Sequence, residues 1–295
     1  MVKGFNPQFR AFSMHTASRE LFKMYIKERE NVKDFILNAP ERVAMTIDNW
    51  KNDSTNEEHI CVTAHFVDSH QKLQKKILPF RTLVPPYDTT CISDKIILFL
   101  QQWNLEQKLL TITTDNASYT VPMVNHIKRH VLGKSSLVGG GSFFHIRCCA
   151  HIVNLIVQAG LNSLASILTC VRNVVKCVDK SHVRRKKFFD VAEKNFKLQT
   201  NKKFRLDMPV RWNSTYLLID RMLYYKDVFI YFGERDFAVK SLAPQLDDWD
   251  KLAYVHKLLK LFYDVTNLFS ASKYLTSNSY VLGVWKIQSC FNGDG

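Results

Sequence analysis

One ten-residue stretch limits what this chain can fold into more than any other: residues 109–118, LLTITTDNAS. β-Branched residues dominate it, and Leu110, Ile112 and Thr114 alternate with Leu109, Thr111 and Thr113, the pattern of a short buried strand. The strand ends on a carboxylate, Asp115. Asn116 and Ser118 follow, with side-chain oxygens of the kind that open a helix. An acid at the carboxyl end of a buried strand stands where open α/β sheets place their chemistry. A second copy of the pattern lies far upstream, at residues 43–48 (VAMTID), followed by Asn49 and Trp50. As parallel neighbours the two strands lie about 4.8 Å apart, which puts Asp48 and Asp115 together at one end of the sheet. Two carboxylates that close repel one another, and a hard divalent ion, Mg2+ or Mn2+, relieves the repulsion. The alternative is a pair of unrelated strand-end acids that cap helices.

The segments around these strands set the order of elements. Residues 1–40 form a helical lead-in, with an apolar face over 19–38 that Pro40 ends. Residues 59–68 alternate cleanly, with Ile60, Val62, Ala64 and Phe66 on one side. Residues 73–84 read as a third strand, and Pro79, which cannot donate to a ladder, places it at a sheet edge. The Pro85-Pro86 pair stops it. A helix over 93–103, the Asp115 strand and a helix to about Leu132 come next. Then follow a flexible break at Gly139-Gly140-Gly141, a fifth strand over 143–148, and one long apolar helix over 151–177. Beyond Asp179 the pattern is helical throughout, and residues 289–295 end the chain without a closing element. Short connections make the first three strands an antiparallel meander, and helical crossovers make the last two parallel. The expectation is an α/β fold with a mixed sheet over 41–161 and a helical region over 162–295.

Composition narrows the partner. The 295 residues carry 41 Lys and Arg against 27 Asp and Glu, a net charge of +14, which favours a polyanion such as DNA. The seven cysteines include no Cys-x-x-Cys pair, which suits reduced thiols. No apolar run reaches membrane-spanning length. Gly133-Lys134-Ser135 echoes a phosphate loop, but position 128 is Lys where that motif needs Gly. The basic run at residues 184–187 is either a phosphate contact or a solvated helix face.

Four motifs in order carry a resemblance: TIDNW at 46–50, TTDNAS at 113–118, FHIRCCAHIVNLIVQAGL at 144–161 and LDMPVRWNSTY at 206–216. Together they resemble the hAT-superfamily DNA transposases, in particular domesticated plant members of the RICESLEEPER and DAYSLEEPER kind, over about residues 6–288. The resemblance implies an RNase H-like fold, a nuclear location, DNA as partner and, in full-length relatives, homo-oligomers. It also implies an Asp, Asp, Glu triad that holds two metal ions, with Asp48 and Asp115 in the aspartate positions. The family's Cys-x-x-His falls on Cys148 and His151 and its Arg-Trp pair on Arg211 and Trp212, all near the DNA end. There Trp stacks on a flipped base and Arg holds phosphate. A zinc cluster of His145, Cys148, Cys149 and His151 is not expected, because neighbouring strand side chains point to opposite faces. Trp212 has a second reading, as a core aromatic.

The third carboxylate is absent from the place a simple RNase H-like enzyme puts it. The helix starting at His151 has no acid in its first turns, and Asp179 lies at its far end. The chain is therefore read as a fragment that lacks the Glu-bearing helix, the family's dimerisation region and its BED zinc finger. The expected function is a transposase-derived DNA-binding protein with an incomplete active site. The alternatives are a protein-interaction module and an active metal-dependent nuclease.

Overall fold

The structure is a computed structural model that describes residues 13–85, 87–134, 137–270 and 277–292. The expectations for residues 1–12, Pro86, Ser135 and residues 293–295 lie outside these. Two compact units divide at Met1–Cys148 and Cys149–Gly295. The first helix after the fifth strand thus groups with the helical unit, whereas the sequence reading kept it with the sheet up to residue 161.

The first unit begins with α1 (Met14–Leu37), capped at its start by the Ser13 hydroxyl. At its other end the Lys108 ammonium donates to the carbonyls of Ile36, Leu37 and Ala39, where the helix stops supplying amide partners. Strands β1 (Val43–Lys51), β2 (Glu58–Val67) and β3 (Leu73–Thr82) form the meander, and α2 (Thr89–Gln102), β4 (Leu109–Thr114), α3 (Thr120–Leu132) and β5 (His145–Arg147) follow. The sheet order is β3-β2-β1-β4-β5; β1 and β2 are antiparallel, β2 and β3 are antiparallel, and β4 runs parallel to both β1 and β5. This is the mixed sheet expected of an RNase H-like fold, with β3 and its Pro79 at the edge. Val43, Met45, Ile47, Ile60, Val62, Leu109 and Ile112 are buried in one core with Ile96, Leu100, Val124 and Ile127 of α2 and α3.

Two local expectations change. Asn116 and Ser118 do not open α3. The helix starts at Thr120 after Tyr119, without a side-chain cap bond. Asp115 itself takes the nearby amide, accepting the Ala117 N–H at 3.1 Å, and the Thr120 hydroxyl closes the turn onto the Ala117 carbonyl at 2.8 Å. The three glycines are not a loose break but a tight turn. Gly139, Gly140 and Gly141 have φ of 58°, 61° and 79°, a region that residues with a Cβ rarely enter.

The second unit is helical. It contains α4 (Cys149–Asn162), α5 (Ala165–Lys180), α6 (His182–Lys194), α7 (Trp212–Tyr224), α8 (Lys226–Gly233), α9 (Phe237–Lys240), α10 (Leu246–Phe269) and α11 (Ser277–Asn292). The single helix expected over 151–177 is two helices bent by 89°. Ser163 causes the break locally: its N–H and its hydroxyl both turn back to the Gly160 carbonyl, competing with helical continuation. No single helix among the described residues is long and apolar enough to cross a membrane. Nor is the region beyond Asp179 helical throughout, because residues 196–210 form an irregular strap. α11 keeps to the expected helical pattern and carries it through Asn292, into the stretch from 289 that was expected to hold no closing element. At the core, Phe188 packs its ring against Phe204, Tyr225, Phe229 and Phe232, with centroids 4.6–5.7 Å apart. The expected α10 stripe contributes Leu252, Leu259, Phe262 and Val265 to buried positions.

Candidate active site and nucleic-acid interface

Ile47 of β1 pairs with Thr114 of β4 in parallel register. The next residue in each case is an aspartate, which brings Asp48, still within β1 and paired with Cys61 of β2, next to Asp115 just past the end of β4. Asp48 is exposed inside β1, which runs on to Lys51 instead of ending at Asp48 as its pattern suggests, and its pKa is raised. Desolvation by the surrounding protein is the main cause and the charge of Asp115 the second, while Lys75 of β3 pulls the other way. The two carboxylates therefore share an electrostatic environment. Asp115 is half-buried and fixed by its bond from the Ala117 amide. The Thr114 hydroxyl lies 2.9 Å from His145 Nε2 on β5. The Cys148 amide donates to the Thr114 carbonyl at 2.8 Å, which ties β5 to the strand end that carries Asp115.

Beside Asp48 lies a cluster that sequence reading left without a role. Strand register aligns Asp48 with Cys61 and Phe80, and Trp50 with His59 and Thr82, so Asp48, Trp50, His59 and Phe80 share a sheet face. The rings form an open triad, with centroids at 5.5 Å for Trp50–Phe80 and 5.8 Å for both Trp50–His59 and His59–Phe80. Trp50 is 42% exposed and Phe80 61%. The available signal was Trp50 two positions after Asp48 on an alternating strand; its partners on β2 and β3 needed the register.

The other nominated residues are scattered. Cys148 is the residue that follows β5, and His151 lies in the first turn of α4, in the other unit; each is half-buried. Arg211 is exposed at the N-cap of α7, whereas Trp212 is 2% exposed and belongs to the helical core. That placement matches its second reading, as a core aromatic. In the basic run, Arg184 is bound to Asp236 at 2.7 Å and Arg185 to Asp179 at 3.3 Å, so half of its charge is structural. Among the described residues no group of three or more His, Cys, Asp and Glu side chains is placed to hold a metal ion.

Comparison with known proteins matches this architecture. The chain fits two family models, the ZBED1 RNase-like domain over residues 46–143 and the ZBED1 RNase-like helical domain over 146–258. It is 30% identical over 97% of its length to zinc finger BED domain-containing protein RICESLEEPER 2 of Oryza sativa subsp. japonica and, equally, to a putative AC transposase of Zea mays. It is 24% identical over 98% of its length to the DAYSLEEPER protein of Arabidopsis thaliana. The chain belongs to the hAT-type, transposase-derived family. It spans about two fifths of the length of these relatives, 40%, 36% and 41% of each in turn.

As a hAT-type chain it carries its RNase-like sheet and its helical domain as separate matches, and the join between them, residues 143–146, lies close to the division of the two compact units. The aspartate pair of this hAT-type sheet suits a hard cation in chemistry: two carboxylates close together, with that of Asp48 costly to ionise, chiefly through desolvation and then through the charge of Asp115. Two carboxylates are fewer than a fixed pair of ions requires.

Proposed function

We propose that this chain is a DNA-binding portion of a nuclear, transposase-derived protein, with Asp48 and Asp115 as its site for Mg2+ or Mn2+. The observation that carries the reading is the open Trp50–His59–Phe80 triad on the sheet face of Asp48. Exposed aromatic faces stack on bases, and each such contact contributes about 1–3 kcal/mol. The net charge of +14 supplies the attraction to phosphate. A divalent ion held by the two carboxylates would polarise a phosphoryl oxygen. Asp115 orients its side of the site through the Ala117 amide bond, and Asp48 stays exposed to an incoming strand. With two carboxylates in place, the proposal is binding without strand transfer by this chain alone.

Fluorescence anisotropy with labelled single-stranded and duplex DNA between 50 and 200 mM salt tests it. Affinity should fall linearly on a log–log scale, as phosphate contacts require. Absence of binding, or affinity unchanged by salt, overturns the reading. Metal-dependent cleavage that disappears in Asp115→Ala would show catalysis and refute the proposal of binding alone.

A further inference from the structure

A second basic site lies wholly within the helical unit. The strap that follows α6 carries Lys197, Lys202, Lys203 and Arg205 with no carboxylate between residues 194 and 206. It is not a loose tail. Phe204 is buried among Phe188, Phe189, Tyr225 and Phe229, with centroids 5.2–5.6 Å apart. Asp207, three residues on, is gripped by Arg172 through two bonds of 2.9 and 2.6 Å and by the Thr215 hydroxyl at 2.7 Å. Upstream, the Tyr224 hydroxyl accepts the Gln199 N–H at 3.0 Å and the Tyr225 hydroxyl donates to the Gln199 carbonyl at 3.1 Å. The Lys203 N–H closes a three-residue turn on the Asn201 carbonyl.

Burying Phe204 forces its neighbours Lys203 and Arg205 outward, and both are exposed. They rim a groove of about 510 Å3 whose other wall is one face of α7: Leu217, Asp220, Arg221 and Tyr224. Asp220 is already engaged, by His256 at 3.1 Å and Lys202 at 3.5 Å. Lys202 also covers the Tyr224 ring, 4.4 Å from its centroid, so that ring is not offered to a base. Lys203, Arg205 and Arg221 have no carboxylate partner among the described residues. A rigid groove with three uncommitted cations on facing walls, and no free stacking surface, suits a phosphodiester backbone and carries no sequence information.

We propose that this groove, between the strap at 199–205 and α7, binds the phosphodiester backbone of DNA through Lys203, Arg205 and Arg221. The proposal rests on the DNA-binding reading and names a surface separate from the aspartate sheet. Its test is the salt dependence of duplex DNA binding by the whole chain, in a variant with Lys203→Gln and Arg221→Gln. The control is a charge-matched variant with Lys186→Gln and Lys187→Gln on α6. Lys186, Lys187 and Lys203 are exposed and Arg221 is half-buried, and a thermal melt verifies that each variant is folded. The groove variant should lower the slope of log K against log salt by about 2, close to 1 per cation removed. The control should lower it by less than half as much. A groove variant with the parental slope, or a control with an equal loss, overturns the groove while leaving DNA binding intact. A parental chain that binds no DNA overturns the functional reading and the groove together.

Discussion

Asp48 and Asp115, 67 positions apart in sequence, occupy the positions just past the paired residues Ile47 and Thr114 on adjacent parallel strands, and the charge of one raises the pKa of the other. A carboxylate raised in the folded state is a cost of folding while it is ionised. The folded chain binds that proton more tightly than the unfolded chain does. Stability therefore rises as pH falls through the raised folded value and levels off below the ordinary carboxylate value of about 3.9. Asp48→Asn should raise Tm at neutral pH in metal-free buffer, and the difference from the parent should shrink through that acidic window. Melts at a series of pH values measure it; a variant less stable than its parent at neutral pH would contradict the shared charge.

The same pair should bind a divalent ion. Mn2+ titration by water-proton relaxation should show enhancement in the parent chain. It should fall to background in Asp48→Asn and in Asp115→Asn, because a single carboxylate with water otherwise around the ion holds it too weakly. Enhancement that persists in both variants would place the ion elsewhere.

Trp50 and Phe80 are open to solvent, so their loss should leave the fold intact. Trp50→Ala should weaken single-stranded DNA binding by about 1–3 kcal/mol, about 5- to 150-fold, with little change in Tm. Unchanged affinity would remove the triad from the interface.

Neighbours Arg211 and Trp212 should behave in opposite ways. Trp212→Ala removes a buried ring and should cost about 3–5 kcal/mol of stability in urea unfolding. Arg211→Gln changes an exposed side chain and should leave stability within about 0.5 kcal/mol. Equal, small effects would show that Trp212 is not a core residue.

Asp207 should be the acid-sensitive point of the strap. Burial alone would raise its pKa, but the bonds from Arg172 and Thr215 and the arginine charge together hold it below the ordinary carboxylate value. Its contribution is complete above the unfolded value of about 3.9 and is lost as pH falls through the lower folded value. Asp207→Ala leaves Arg172 half-buried without its carboxylate and should destabilise the chain by about 3 kcal/mol at neutral pH. Stability measured by urea unfolding at neutral and acid pH checks both statements.

What the residues determined alone was local and periodic. Alternation over 43–48, 59–68 and 109–114 identified strands, Pro79 identified the edge, and two aspartates ending the same pattern identified the carboxylate pair. Connection length then gave the sheet its mixed topology, because a short turn cannot reverse a strand into parallel pairing. Other features depended on contacts between distant segments. The apolar run from 151 to 177 looks like one helix by composition, but Ser163 satisfies the Gly160 carbonyl and lets the chain turn by 89°. The motif around Trp212 allows a core ring or a base-stacking one equally, and only its packing in the helical core decides between them. Trp50, His59 and Phe80 converge only through cross-strand register, and Lys203 and Arg221 face one groove only because Phe204 and Asp207 pin the strap. Periodicity is a property of neighbours along the chain; burial and convergence belong to segments that meet only after folding, and tertiary structure alone decided those.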